Sequence, residues 1–210
     1  MKYFIYQSKI FIWVFIYTLY VYIAFNVWGG SKDLQSILSE ALFAPQKYYF
    51  DATLFFTAYI FVLKKPFVSA QYVTRCKSAY FFNILFYGIK ICSFYLIYTF
   101  ILFFGCSILN SYSIHLNSMI LLNILNFASF IISLYLLYLL FLLLFENQIV
   151  GVLAGVVINI NIMVILFLIN EINENYYTTV SKIIMAVYPG VAIALVLCNA
   201  YVCRRKEFLK

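Results

Sequence analysis

Long runs of apolar residues recur from position 11 to position 201, and short polar segments separate them. A helix needs roughly 20 mostly apolar residues to cross the roughly 30 Å of bilayer hydrocarbon. By this criterion the pattern predicts about six spans, at approximately 10–28, 48–63, 79–105, 119–145, 149–169 and 183–203. The run LYLLYLLFLLLF at 134–145 lacks the apolar–polar alternation of a barrel strand. The spans are therefore predicted to be helices, whose backbone groups are satisfied within each segment.

The composition supports a protein that lives in a membrane. Apolar residues make up 66% of the chain and charged residues 10%, which is too little polar surface for a water-soluble domain of this length. The longest segment outside the apolar runs is 29–47, so no separate soluble domain fits. The sequence predicts an all-α, polytopic helix bundle that forms one transmembrane domain over 1–210.

The basic residues predict the orientation, because lysine and arginine concentrate on the cytoplasmic side of membrane proteins. An even number of spans with both termini cytoplasmic leaves only Lys32, Lys47 and Lys182 outside. The inner segments then hold Lys2, Lys9, Lys64, Lys65, Arg75, Lys77, Arg204, Arg205, Lys206 and Lys210. Since the positive charge lies at helix ends, the net charge of +7 does not indicate a nucleic-acid partner.

Motifs for catalysis and for metal binding are missing from the sequence. The five cysteines show no CxxC or CxxH spacing, and the single histidine, His115, lies in a short outer loop. HExxH, GxSxG and the phosphate-binding GxxxxGK[ST] do not occur. We therefore expect no catalytic residue, no metal and no bound cofactor, and we expect the chain not to be an enzyme.

Two connecting segments have amphipathic patterns. The segment 31–44, SKDLQSILSEALFA, predicts a short helix at the outer membrane surface. The segment 64–78, KKPFVSAQYVTRCKS, carries Val68, Tyr72 and Cys76 on one face and four basic residues elsewhere. It is either a cationic loop held against anionic headgroups or a docking element for a cytoplasmic partner.

Polar and small residues inside the spans are candidates for packing or for a transport path. Lys90 either reaches back to the inner interface or lines a path. Small residues spaced i, i+4, i+8 on the fifth span allow close helix contact, within one subunit or at an interface between subunits. They are Gly151, Gly155 and Asn159, and on the fourth span Asn126 and Ser133 either meet this stripe within one subunit or line a cavity between subunits.

The sixth span carries a proline near its start. Pro189 lacks a backbone donor and clashes with the preceding turn, so it predicts a kink or break. The segment 170–179, NEINENYYTT, reads as a polar outer loop before that span. Together these two features predict a shaped outer mouth.

This layout resembles the permease subunit of an ABC-2-type exporter, of the small six-helix type that handles bacteriocins, lantibiotics or other amphipathic peptides. The resembling features are the basic N-terminus, the basic segment after the second span, and its direct continuation into a long third helix, KKPFVSAQYVTRCKSAYFFNILFYGIK. The resemblance implies that 66–77, here named the coupling segment, meets an ATPase. The residues that carry it are Pro66, Phe67, Val68, Tyr72, Arg75 and Lys77.

The resemblance also implies partners. A separate ABC ATPase would bind ATP and Mg²⁺, and a second permease subunit, identical or different, would complete the unit in a bacterial cytoplasmic membrane. Two other classes remain open from the sequence. One is a membrane immunity or accessory protein that works without an ATPase. The other is the substrate-binding subunit of a vitamin importer, although the first span is bulky throughout where such proteins carry small residues.

Overall fold

The computed structural model describes residues 2–28, 47–63, 77–110, 118–145, 147–172 and 174–205. These residues form helices almost throughout. The helices are α1 Lys2–Trp28, a π-helical turn Lys47–Ala52 leading into α2 Thr53–Val62, α3 Lys77–Leu109, α4 Ser118–Phe145, α5 Gln148–Ile172 and α6 Glu174–Arg205. The prediction of an all-helical bundle is confirmed.

Five of the described helices are long and apolar enough to cross a membrane. Their apolar windows are Lys9–Asn26, Phe81–Leu109, Ile120–Phe145, Gln148–Ile172 and Ala186–Arg205. The helical stretch Tyr49–Val62 is apolar but shorter. At 1.5 Å per residue it covers about 20 Å, less than the hydrocarbon thickness. The chain is therefore a membrane-embedded helix bundle.

One local prediction for the later helices is wrong, and a second is wrong in one of its two alternatives. The segment 170–179 is not a polar loop, because α5 continues to Ile172 and α6 already begins at Glu174. An acidic first residue favours a helix start, because it interacts with the positive end of the helix dipole. The helix also continues through Pro189, so the predicted break does not occur, and the alternative of a kink stays a prediction.

The fourth helix contacts α6 next to Pro189. The Ser133 hydroxyl of α4 lies 3.4 Å from the carbonyl of Tyr188, the residue before the proline. Pro189 itself is exposed, so its ring does not disturb the packing against α4.

The bundle is organised around α4, which packs against α3, α5 and α6. Its buried face is continuous over several turns, with Phe127, Phe130, Ile131, Leu134 and Leu139 almost fully enclosed. The shorter α2 lies between α1 and α5, and α1 also packs on α3. The result is two neighbouring groups of helices, α1–α2–α3 and α4–α5–α6.

The α1–α2–α3 group is held together by aromatic rings and by buried hydroxyls. The Trp13 ring lies 4.7 Å from that of Tyr59 on α2 and 6.1 Å from that of Tyr95 on α3, measured between centroids. The hydroxyls of Tyr17 and Thr99 are 2.7 Å apart. Because the Thr99 hydroxyl donates to the Tyr95 carbonyl, Tyr17 is the donor in this pair. These bonds satisfy polar atoms that lipid cannot satisfy.

Candidate binding cavity between α4, α5 and α6

A cavity of about 290 Å³ lies between α4, α5 and α6. It is roughly twice the size of the engineered apolar cavities that admit benzene. Its walls are mainly aliphatic, and no charged side chain of the described residues lines it. The lining residues are Ser133, Leu134 and Leu137 of α4, Ile158, Asn159 and Ile162 of α5, and Ile183, Val187, Tyr188, Val191 and Leu195 of α6.

The polar part of the wall comes from Asn159 and Ser133. Asn159 is only 4% exposed, and its Nδ2 donates a hydrogen bond of 2.8 Å to the carbonyl of Gly155. The Ser133 hydroxyl lies 2.8 Å from the carbonyl of Ser129 and 3.4 Å from that of Tyr188. Ser133 thus has its proton engaged by backbone, whereas the Asn159 amide keeps further hydrogen-bonding capacity.

The cavity is deep in the membrane. Asn159 stands about 16 Å from the first residue of α5 and about 20 Å from the last, at 1.5 Å per residue. Ser133 is similarly central in α4, which runs from Ser118 to Phe145. A ligand in the cavity would therefore lie near the middle of the hydrocarbon, far from both headgroup regions.

The cavity opens sideways, between α5 and α6. Ile158 is 39% exposed and Val187 is 52% exposed, although both line the cavity. Their exposed atoms face the surroundings of the bundle, which at this depth are lipid tails. An opening at these two residues would face the lipid tails.

The glycines of the predicted small-residue stripe pack inside the chain. A Cβ atom placed on Gly151 would lie 2.9 Å from the backbone oxygen of Tyr138 on α4. A Cβ atom on Gly155 would come no closer than 3.9 Å to the Thr57 Cγ2 on α2. Gly151 thus allows α5 to approach α4 closely, and Asn159, two turns further along, lines the cavity beside that contact.

Lys90 and Asn126, which were predicted as possible path-lining residues, do not line this cavity. Asn126 is half-buried on α4, and Lys90 is exposed on α3. Contacts of Tyr17 with Thr99 and of Phe25 with Phe103 show that α1 and α3 run parallel with an offset of about 80 residues. Lys90 therefore stands at the level of Lys9, close to one end of α1, which favours a side chain that reaches a membrane interface.

The residues of the coupling segment lie mostly outside the described residues. Pro66, Phe67, Val68, Tyr72 and Arg75 belong to the part that is not described, and Lys77 is the first residue of α3. The amphipathic segment 31–44 is also outside the described residues.

Sequence reasoning did not identify a carboxylate inside the bundle. The Tyr20 hydroxyl of α1 donates a hydrogen bond of 2.6 Å to the Asp51 carboxylate, which is half-buried in the turn before α2. An acidic residue near the start of the second apolar run was the available signal. Tyr188, which lines the cavity, stood out in the sequence only as the residue before Pro189.

Comparison with known proteins gives no match: no protein family, no curated protein and no solved structure is detectably similar to this chain.

Proposed function

We propose that this chain is the membrane-spanning permease subunit of an ABC exporter with ABC-2-type, six-span architecture. It would couple ATP hydrolysis by a separate ATPase to the export of an amphipathic or hydrophobic peptide. The observation that carries the proposal is a laterally open cavity at mid-membrane depth whose α4 wall packs directly on α3. The sequence resemblance supports it, because α3 continues the basic segment that such permeases present to their ATPase.

The contacts between α3 and α4 provide a mechanical connection from the coupling segment to the cavity. The Tyr135 hydroxyl of α4 donates a hydrogen bond of 3.1 Å to the Ile84 carbonyl of α3. A Cβ atom on Gly88 would lie 1.9 Å from the Tyr135 ring, so ring and helix are in tight contact. Leu134, next to Tyr135 in sequence, lines the cavity.

Closure of the partner ATPase would act on α3 through its first turns. A shift of α3 would move Tyr135 and with it the cavity wall, since packed helices respond as discrete rearrangements rather than by continuous deformation. Nucleotide would then shift the population between two arrangements of α4 against α5 and α6. The chain itself performs no covalent chemistry in this scheme.

The second candidate function is a membrane immunity or accessory protein that holds a hydrophobic peptide. The same cavity favours it, because an apolar site open to lipid serves sequestration as well as transport. It differs in needing no ATPase. The aliphatic lining gives less support to a subunit that binds a vitamin with many polar groups.

Co-purification from native membranes in mild detergent tests the proposal. We expect an ABC ATPase to accompany the wild-type chain, and the double variant Arg75→Glu, Lys77→Glu to recover at least about tenfold less of it, a change of about 1.4 kcal/mol. The matched control is Arg204→Glu, Arg205→Glu, which reverses two exposed charges at the end of α6. This control should retain the ATPase.

Three results would count against the proposal as stated. A clean wild-type preparation without an ATPase contradicts the exporter function and leaves the accessory function. Equal loss of the ATPase from both double variants contradicts the location of the coupling segment. The lower positive charge of the chain would then explain the weaker binding of the ATPase. Full retention in the Arg75 and Lys77 variant contradicts that location as well.

A further inference from the structure

We infer that the cavity between α4, α5 and α6 binds an apolar chain that carries an amide group, and that Asn159 recognises this amide by accepting a hydrogen bond from the ligand N–H at its Oδ1 oxygen. The ligand reaches the site from the lipid, between α5 and α6. The inference deepens the proposed function by naming the chemical group that the substrate must carry. That the bound ligand is also transported rests on the proposed function.

The hydrogen bond of Asn159 to the preceding turn leaves its amide further hydrogen-bonding capacity. A side-chain amide has two N–H donors and a carbonyl oxygen with two lone pairs. Among the described residues, Asn159 uses one N–H, which donates to the Gly155 carbonyl. The structure shows no second hydrogen bond of this amide to a described residue. The side chain is almost fully buried and lines the cavity.

The hydrogen bond to the preceding turn does not explain why Asn159 is buried at the cavity, because a nearby exposed asparagine makes the same bond. Asn161 makes the same bond, from Nδ2 to the carbonyl of Val157 four residues earlier, at 2.7 Å. Asn161 is exposed on another face of α5. The local bond is thus common to both, whereas of the two only Asn159 is buried and lines the cavity.

The geometry of an amide explains the expected ligand class. A secondary amide of the ligand has an N–H that donates to the Asn159 Oδ1 oxygen, whereas its C=O points to the opposite side in the trans form. An ester of equal shape has no N–H and leaves the Oδ1 oxygen without a partner. A buried polar group without a partner is unfavourable, so the site discriminates between the two.

The rest of the lining sets the remaining properties of the ligand. Leu134, Leu137, Ile162 and Leu195 give aliphatic walls, and the described lining residues offer no charge to neutralise a charged group. The lateral opening beside Ile158 and Val187 admits molecules that are already in the bilayer. A hydrophobic peptide segment, with amides along an apolar body, fits all of these conditions.

The experiment measures binding to the purified chain in lipid nanodiscs, without any ATPase. The probes are the N-methyl amide and the methyl ester of one medium-chain diazirine fatty acid, which differ by an N–H in place of an oxygen. Affinity is measured by competition, and photolabelled positions are mapped by mass spectrometry. We expect the amide to bind at least about tenfold more tightly than the ester and to label residues of α5 and α6.

The variants separate recognition by Asn159 from general hydrophobic binding. Asn159→Leu should bind both probes equally, and Asn161→Leu should keep the preference for the amide. Val187→Trp, which fills the cavity from its open side without changing Asn159, should abolish labelling by both probes. It also provides a test if Asn159→Leu does not fold.

Equal affinity of the wild type for amide and ester would overturn the recognition by Asn159, and would indicate that water satisfies that side chain. Labelling that persists in Val187→Trp would overturn the site. Because no ATPase is present, failure of this experiment leaves the co-purification result unchanged. Conversely, loss of the ATPase partner would not remove the preference for the amide.

Discussion

Replacing Trp13 by alanine is expected to lower the free energy of unfolding of the bundle by about 2–3 kcal/mol. In water-soluble proteins such a truncation costs about 3–5 kcal/mol, from lost transfer energy and from the cavity left behind. In a membrane the transfer part is smaller, because lipid is as apolar as the interior. The rest of the cost in a membrane comes from two losses. They are the ring contacts with Tyr17 and Tyr59 and the hydrogen bond from Nε1 to the Phe55 carbonyl.

The matched control for Trp13 is Phe15, an aromatic residue on the same helix that is 69% exposed. Its side chain faces lipid in the folded and in the unfolded state, so Phe15→Ala should change stability by less than about 0.5 kcal/mol. Both variants are compared by denaturant titration in mixed micelles with fluorescence or circular dichroism detection. Equal effects of the two substitutions would contradict the central position of Trp13 in the α1–α2–α3 group.

The helices themselves were accessible to sequence reasoning because their signal is local. A span predicted at 79–105 is seen as α3, Lys77–Leu109, since each backbone group in lipid must be satisfied within the helix. The prediction that failed concerns a place where composition and conformation separate. The polar residues of 170–179 that the structure describes belong to the helices α5 and α6, and α6 continues through Pro189 without a break.

The site depends on helix register, which the sequence does not contain. Asn159 was predicted as a packing residue and Ser133 as a path-lining residue, on separate helices. The structure brings both to one cavity, and it adds Tyr188 from α6. Lys90 and Asn126 are also polar residues inside predicted spans, but they do not line the cavity. Polarity inside a span therefore indicates candidates, and only the packing of α4 against α5 and α6 decides which of them meet.

The hydrogen bond between Tyr20 and Asp51 illustrates the same limit of sequence reasoning. An acidic residue near the start of an apolar run predicts only a charge close to the outer interface. That its carboxylate accepts a hydrogen bond from Tyr20 follows from the position of α1 beside α2. No local pattern links positions that are 31 residues apart.

Substituting valine for Gly151 is expected to destabilise the bundle by about 1–3 kcal/mol, the usual range for overpacking. The new Cβ atom would lie 2.9 Å from both the Tyr138 oxygen and its Cδ2 atom. The backbone oxygen cannot move aside as a flexible side chain does, so α5 must shift away from α4. Since Asn159 follows on the same face, this shift should also weaken ligand binding in the cavity.

Gly155 provides the control for Gly151, because both glycines belong to the same stripe of α5. An alanine at position 155 meets nothing closer than the Thr57 Cγ2 at 3.9 Å among the described residues, and alanine is the better helix former. Gly155→Ala should therefore be neutral or slightly stabilising, by up to about 1 kcal/mol. Thermal unfolding in detergent, with the oligomeric state measured by light scattering, compares the two variants. If the stripe instead holds two subunits together, Gly151→Val would change the oligomeric state and leave the melting of the separated chain unaltered, which would contradict its place between α5 and α4.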